Sequence, residues 1–194
     1  MLLLGACSSG GGGKAPTEAE RADAARQLSF YDAAPPWPLD GQQAARMRAA
    51  GLPLLKAEGN VVHYHAHLDV FYDGERVQVP ADVGIDRQVG VISPLHTHSA
   101  SGVMHVESNE EVDFTLGQFL TEWGVKSSDG CVGDKCGDEV AVFINGSIQD
   151  DVAADVVIKP HSEIALVLGT APADIPSTYD CKAENPGDIP CSKS

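Results

Sequence analysis

The stretch VVHYHAHLDVFY, residues 61–72, alternates strictly between two kinds of side chain. Its even-numbered positions are largely apolar, whereas its odd-numbered positions carry His63, His65 and His67. Successive side chains of a β-strand point to opposite faces of the sheet. The alternation therefore predicts one strand with an apolar face on the core and a row of imidazoles on the other face.

The segments around this strand predict the rest of the fold. An Asp73-Gly74 turn joins the strand to a second one in a hairpin, and Asn145-Gly146 marks another hairpin. Between the hairpins, short strands are predicted at residues 88–93 and 102–107 and an amphipathic helix at 115–123. A last strand is predicted at residues 164–168. This order of elements resembles the β-grasp fold, so we predict an α+β protein with a β-grasp-like mixed sheet and one short packed helix.

Six of the seven histidines fall in three segments that can meet on one sheet face. Two HxH pairs lie among them, and same-face side chains two residues apart in a strand are roughly 7 Å apart, so neighbouring imidazoles can converge on one ion. Three imidazoles on one straight strand reach a single ion less easily, so one of that trio is free for another role. The candidate metal ligands are His63, His65, His67, His96, His98 and His105.

Three segments, HYHAHLDVF, SPLHTHSASGVMHVES and TLGQFLTEWG, together resemble a poorly characterised family of small, secreted or lipid-anchored bacterial and archaeal proteins. The resemblance covers roughly residues 50 to 169. It implies little settled function, but it implies that the six histidines form one constellation.

The cysteines indicate an oxidising location. Cys7 follows Leu4-Gly5-Ala6 and precedes a Ser- and Gly-rich tether, a pattern that resembles a bacterial lipobox with Cys7 as the lipid anchor. The other four cysteines are then expected to form two disulfides, Cys131–Cys136 and Cys181–Cys191. Zinc ligation by these four is the rival interpretation, although neither spacing is CxxC.

Composition divides the chain into four predicted segments. Residues 1–14 are the remnant of a lipoprotein signal and its tether, and residues 15–58 are a helical N-terminal extension. Residues 59–170 are the His-rich metal-binding domain, and residues 171–194 are a loop-rich tail stapled by a disulfide.

The charge balance excludes two classes of partner. Acidic residues outnumber basic ones 28 to 13, which gives a formal net charge of −15. Such a chain repels phosphate backbones and anionic lipid headgroups, so we expect no nucleic-acid partner and membrane attachment through the lipid anchor only. The same acidic surface raises the local concentration of cations.

These observations favour an extracytoplasmic, lipid-anchored protein that binds copper, with zinc as the alternative metal. Its expected role is metal trafficking, buffering or resistance, with a cuproprotein client or a metal transporter as partner. One alternative is a metal-dependent enzyme with an open coordination position and Glu107 or Asp69 as base, which the sequence does not favour because no nucleophile arrangement is visible. A metal-free interaction domain whose histidines tune a pH response is the other.

Overall fold

The computed structural model describes residues 13–180. Cys7, Cys181 and Cys191 lie outside these residues, so the lipid anchor and the second disulfide stay predictions. The three helices are α1 (Glu18–Arg26), α2 (Gln43–Ala49) and α3 (Leu116–Trp123). The strands are β1 (Val62–Tyr72), β2 (Glu75–Val77), β3 (Ile85–Asp86), β4 (Val91–Ile92), β5 (Leu95–His96), β6 (Val103–Ser108), β7 (Cys131–Val132), β8 (Lys135–Cys136), β9 (Val140–Ile144), β10 (Ser147–Ile148) and β11 (Glu163–Leu168).

The main sheet confirms the α+β prediction. Its strand order is β10-β9-β11-β1-β6-β5, and β2 also pairs with β1. The long first strand β1 pairs in parallel with the last strand β11, and the other neighbours in this order are antiparallel. A parallel pair needs a crossover connection, and the chain between β1 and β11 includes the packed helix α3. First and last strands side by side at the centre are what a β-grasp-like arrangement requires.

Helix α3 covers the apolar face of this sheet. Thr115 and Gln118 form a capping box at its start, and Gly124 ends it in the left-handed conformation at φ 93°. Its buried face, which includes Phe119 and Trp123, joins one core with Leu68 on β1. Met104 on β6 is buried in the same core, so its thioether points away from the histidines.

The two N-terminal helices play different parts. Helix α1 begins at a capping box formed by Thr17 and Glu20 and has no buried residue. Helix α2 packs against α3 and buries five of its residues, and its Met47 packs with Val91 of β4 in a small cluster apart from the main core. None of the helices within residues 13–180 is long and apolar enough to cross a membrane.

Two local differences from the predicted elements matter for the site. The strand expected at residues 88–93 is shorter in the structure, where only β4 is extended, and β4 pairs with β3 in a separate two-stranded sheet. The first residues of the expected strand lie instead in a turn, which is closed by a hydrogen bond from Gly90 N to Asp86 O. His96, for which no strand is predicted, lies in the two-residue strand β5 at the edge of the main sheet.

Candidate metal centre

Strand register brings the histidines together. His65 on β1 faces His105 on the antiparallel strand β6, and His105 faces His96 on β5. The three imidazoles therefore form a row across three neighbouring strands. His63 and Glu107 face each other at another position of the β1–β6 pair. All these side chains lie on the sheet face opposite α3, because they alternate with core residues along their strands.

The inner part of the cluster is rich in donor atoms, and three of its four residues are buried. Nε2 of His65 lies 3.0 Å from Nδ1 of His105, and that nitrogen lies 3.2 Å from Oε1 of Glu107. The same carboxylate oxygen is 3.2 Å from Nε2 of His63. We call these four residues the inner group: His63, His65, His105 and Glu107.

The outer part of the cluster reaches solvent. Nε2 of His96 lies 3.2 Å from Nε2 of His98, which lies 3.4 Å from Oε1 of Glu58. The side chains of His98 and Glu58 are 41% and 51% exposed. We call Glu58, His96 and His98 the outer group, and the inner and outer groups together the central cluster.

The hydrogen bonding of His96 leaves the lone pair of its Nε2 available to a metal ion. Its Nδ1 lies 2.9 Å from the carbonyl oxygen of Ser93, and since a carbonyl only accepts, Nδ1 must carry the hydrogen. Nε2 then presents its lone pair towards His98. Burial, assisted by the neighbouring His105 and His98 and opposed by Glu107, lowers the pKa of His96 to about 3 and keeps the ring neutral. A backbone carbonyl that fixes the tautomer of a histidine is a common device around metal ligands.

Glu107 supplies the buried negative charge of the cluster. Its side chain is almost fully buried, and its Oε2 has no hydrogen-bond partner among residues 13–180. Burial by itself would raise the pKa of Glu107, but the bond with His105 and the surrounding imidazoles lower it further than burial raises it. A buried, ionised carboxylate with one unused oxygen needs a compensating cation or an ordered water.

His67 lies on the same sheet face but serves a different group. β1 and β11 pair so that His67 faces Glu163, whose Oε2 is 2.9 Å from Nδ1 of the ring. Nε2 of His67 donates to the carbonyl of Ser101 at 2.9 Å, and the ring of Tyr179 stacks on the imidazole of His67. With one ring nitrogen donating to a carbonyl and the other facing a carboxylate, His67 fits an imidazolium paired with Glu163.

Charges around His67 support that ion pair. Burial lowers the pKa of His67, but the hydrogen bond and the charge of Glu163 outweigh burial and raise it overall. His67, Asp69 and Glu163 also bring three donor atoms within 4.8 Å of one another, a spacing at which they could hold a cation. Arg76 pairs with Asp69 and His67 pairs with Glu163, so side chains already supply positive charge to both carboxylates.

The structure thus brings five of the six candidate histidines together and sets His67 apart. The donor atoms of the central cluster form overlapping sets within 4.8 Å of one another that could hold a metal ion. Glu58 was not among the candidate residues, because it lies outside the His-rich strands and is one of 28 acidic residues. The seventh histidine, His161, is exposed in a turn, where its backbone N donates to the carbonyl of His65.

One of the two predicted disulfides lies among the residues that the structure describes. Cys131 and Cys136 face each other on β7 and β8 and form a disulfide. Both thiols are therefore unavailable to a four-cysteine zinc site. No protein-family model, no curated protein and no solved structure matches the chain.

Proposed function

We propose that this chain is an extracytoplasmic metal-binding protein that holds copper in the central cluster. The observation that carries the proposal is the convergence of five imidazoles and the buried carboxylate of Glu107 on one small volume. Neighbouring donor atoms there lie between 3.0 and 3.4 Å apart. A row of surface histidines without a ligand would not need a buried carboxylate with an unused oxygen.

The donor chemistry favours copper over the other candidate metals. Imidazole nitrogen suits zinc, copper, nickel and iron, and copper lies at the top of the Irving–Williams order. Met104 points into the core and Cys131 and Cys136 are paired, so the sulfur atoms of these three residues take no part in the cluster. The site is thus suited to copper bound through nitrogen, with zinc as the alternative, and the net charge of −15 attracts cations to it.

The proposed role is the handling of copper outside the cytoplasm: trafficking, buffering or resistance. The lipobox-like sequence that ends at Cys7 supports anchoring to the membrane through a lipid, and the Cys131–Cys136 disulfide agrees with an oxidising compartment. A cuproprotein client or a metal transporter is the partner that this role requires. The half-exposed outer group is the side from which such a partner would receive the ion.

A metal-dependent enzyme is the second candidate, and the same exposed side favours it. Catalytic metal sites keep one position open for water or substrate, whereas structural sites are closed by protein ligands. The inner group offers four protein donors and the outer group opens to solvent. Catalysis, if present, would therefore take place at the outer group.

The test is metal retention by the purified chain. The protein is exposed to equal copper and zinc, freed of loosely bound metal, and its metal content is measured by mass spectrometry. A His65→Ala/His105→Ala double variant removes the centre of the cluster, and His161→Ala is the matched control because that imidazole is exposed and outside the cluster. We expect copper in the wild type and the control and a clear loss of copper in the double variant. Zinc in copper's place would overturn the choice of metal, and no metal in any of them would overturn the function.

A further inference from the structure

We propose that the central cluster is a dinuclear centre, in which an inner and an outer metal ion lie side by side and share the carboxylate of Glu107. The inner group holds one ion and the outer group the other. This inference rests on the proposed function and goes beyond it by fixing the number of ions and the residue that joins them.

The number of donors exceeds the needs of one ion. The two groups together supply five imidazoles and two carboxylates. A zinc ion or a copper ion bound by imidazoles takes about four protein ligands. A single ion would therefore leave about three of these seven donors without a metal.

Two close pairs of donor atoms lie within the overlapping sets, and His105 also brings a ring nitrogen within 4.8 Å of donor atoms of His96 and His98. Two ligand atoms that each lie about 2.0–2.1 Å from one ion in tetrahedral geometry are roughly 3.3 Å apart. Nε2 of His65 and Nδ1 of His105 have this relation at 3.0 Å, and Nε2 of His96 and Nε2 of His98 have it at 3.2 Å. The first pair lies between β1 and β6, and the second lies at the edge strand β5.

Glu107 stands between the two groups. Its Oε1 touches His63 and His105 of the inner group, and a carboxylate oxygen of Glu107 also lies within 4.8 Å of donor atoms of Glu58 and His96 in the outer group. Its Oε2 is buried and has no hydrogen-bond partner among the residues that the structure describes. A carboxylate that bridges two ions uses one oxygen for each, and such pairs are about 3.5–4 Å apart.

The two metal ions are expected to differ in how readily they leave the protein. The inner group offers four protein donors, three of which belong to buried residues, and the side chain of the fourth, His63, is 31% exposed. The outer group has two half-exposed side chains, His98 and Glu58, so its ion is accessible to solvent and to a partner. The outer ion should therefore be lost first when a chelator is added.

Copper(II) titration of the full chain tests the inference. Native mass spectrometry counts the ions, and electron paramagnetic resonance (EPR) measures how much of the copper behaves as isolated spins. A Glu58→Ala/His98→Ala variant removes two partly exposed donors of the outer group and should leave the fold intact, which circular dichroism checks. His161→Ala is again the matched control.

We expect two copper ions per chain in the wild type and in the control. Because ions bridged at such a distance couple magnetically, the EPR signal should account for much less than the total copper. The Glu58→Ala/His98→Ala variant should bind one copper with its full EPR signal. One copper per wild-type chain, or two with a full uncoupled signal, would overturn the dinuclear centre while leaving metal binding in place. No copper in the wild type would overturn the proposed function itself.

Discussion

His65 and His105 face each other across β1 and β6, with Nε2 of the first 3.0 Å from Nδ1 of the second. The contact depends on register, because a slip of one residue would turn every side chain of a strand to the other face. The apolar residues that alternate with the histidines, Ala66 and Met104 among them, are fully buried and hold that register. Core packing on one face thus positions the imidazoles on the other.

The first prediction separates His67 from the central cluster. His67→Gln should leave the metal content unchanged, because His67 bonds Glu163 and Ser101 rather than the cluster. It should lower the free energy of unfolding by about 1–3 kcal/mol, since the buried carboxylate of Glu163 loses a charged partner. Urea unfolding of the metal-free protein and metal analysis provide the two measurements. A loss of metal as large as that of the His65→Ala/His105→Ala variant would contradict the assignment.

The same pair predicts how this difference depends on pH. Because the pKa of His67 is raised in the folded protein, the stabilisation is fully present below the unfolded histidine value of about 6.5 and is lost as pH rises through the raised pKa. Burial raises the pKa of Glu163 as well, although His67 opposes it, so the pair also weakens in acid as Glu163 is protonated. The difference in the free energy of unfolding between wild type and His67→Gln should therefore be largest at pH values between the pKa of Glu163 and the pKa of His67. It should become smaller as the pH rises above the pKa of His67. A gap that grows on the alkaline side would show that the pair is not an ion pair.

The second prediction concerns Glu122 in α3. This residue is fully buried, and burial raises the pKa of its carboxyl group well above the usual range, with only partial relief from Ser93. For an acid with a raised pKa, the stability present below the unfolded value is lost as pH rises through the folded value. Glu122→Gln should therefore stabilise the protein at pH 8, on the order of 1 kcal/mol or more, and change little at pH 4. Equal effects at the two pH values in urea unfolding would refute this account of Glu122.

The third prediction concerns the Cys131–Cys136 disulfide. A Cys131→Ser/Cys136→Ser variant should lose about 2 kcal/mol of stability, because the bond closes a short loop in the unfolded chain. Its metal content should equal that of the wild type, because the disulfide sulfurs are not ligands. Thermal unfolding and metal analysis of the same samples check both parts. Loss of zinc or copper from this variant would instead indicate that cysteine sulfur binds the metal.

Much of the site could be predicted from local sequence, and the part that could not depends on pairing between distant strands. Period-two alternation placed His65 and His105 on one face without knowledge of the fold. The partner of His67 is Glu163, 96 residues away on a parallel strand, and no local pattern indicates that register. Strand β5, which carries His96, has only two residues and is too short to produce a periodic signal.

Anomalous diffraction from crystals of the copper-loaded chain is the most direct test of the central claim. We expect a copper peak about 2.0–2.1 Å from both Nε2 of His65 and Nδ1 of His105. A strongest peak beside His67 and Glu163, or no peak within bonding distance of the His65–His105 pair, would contradict it.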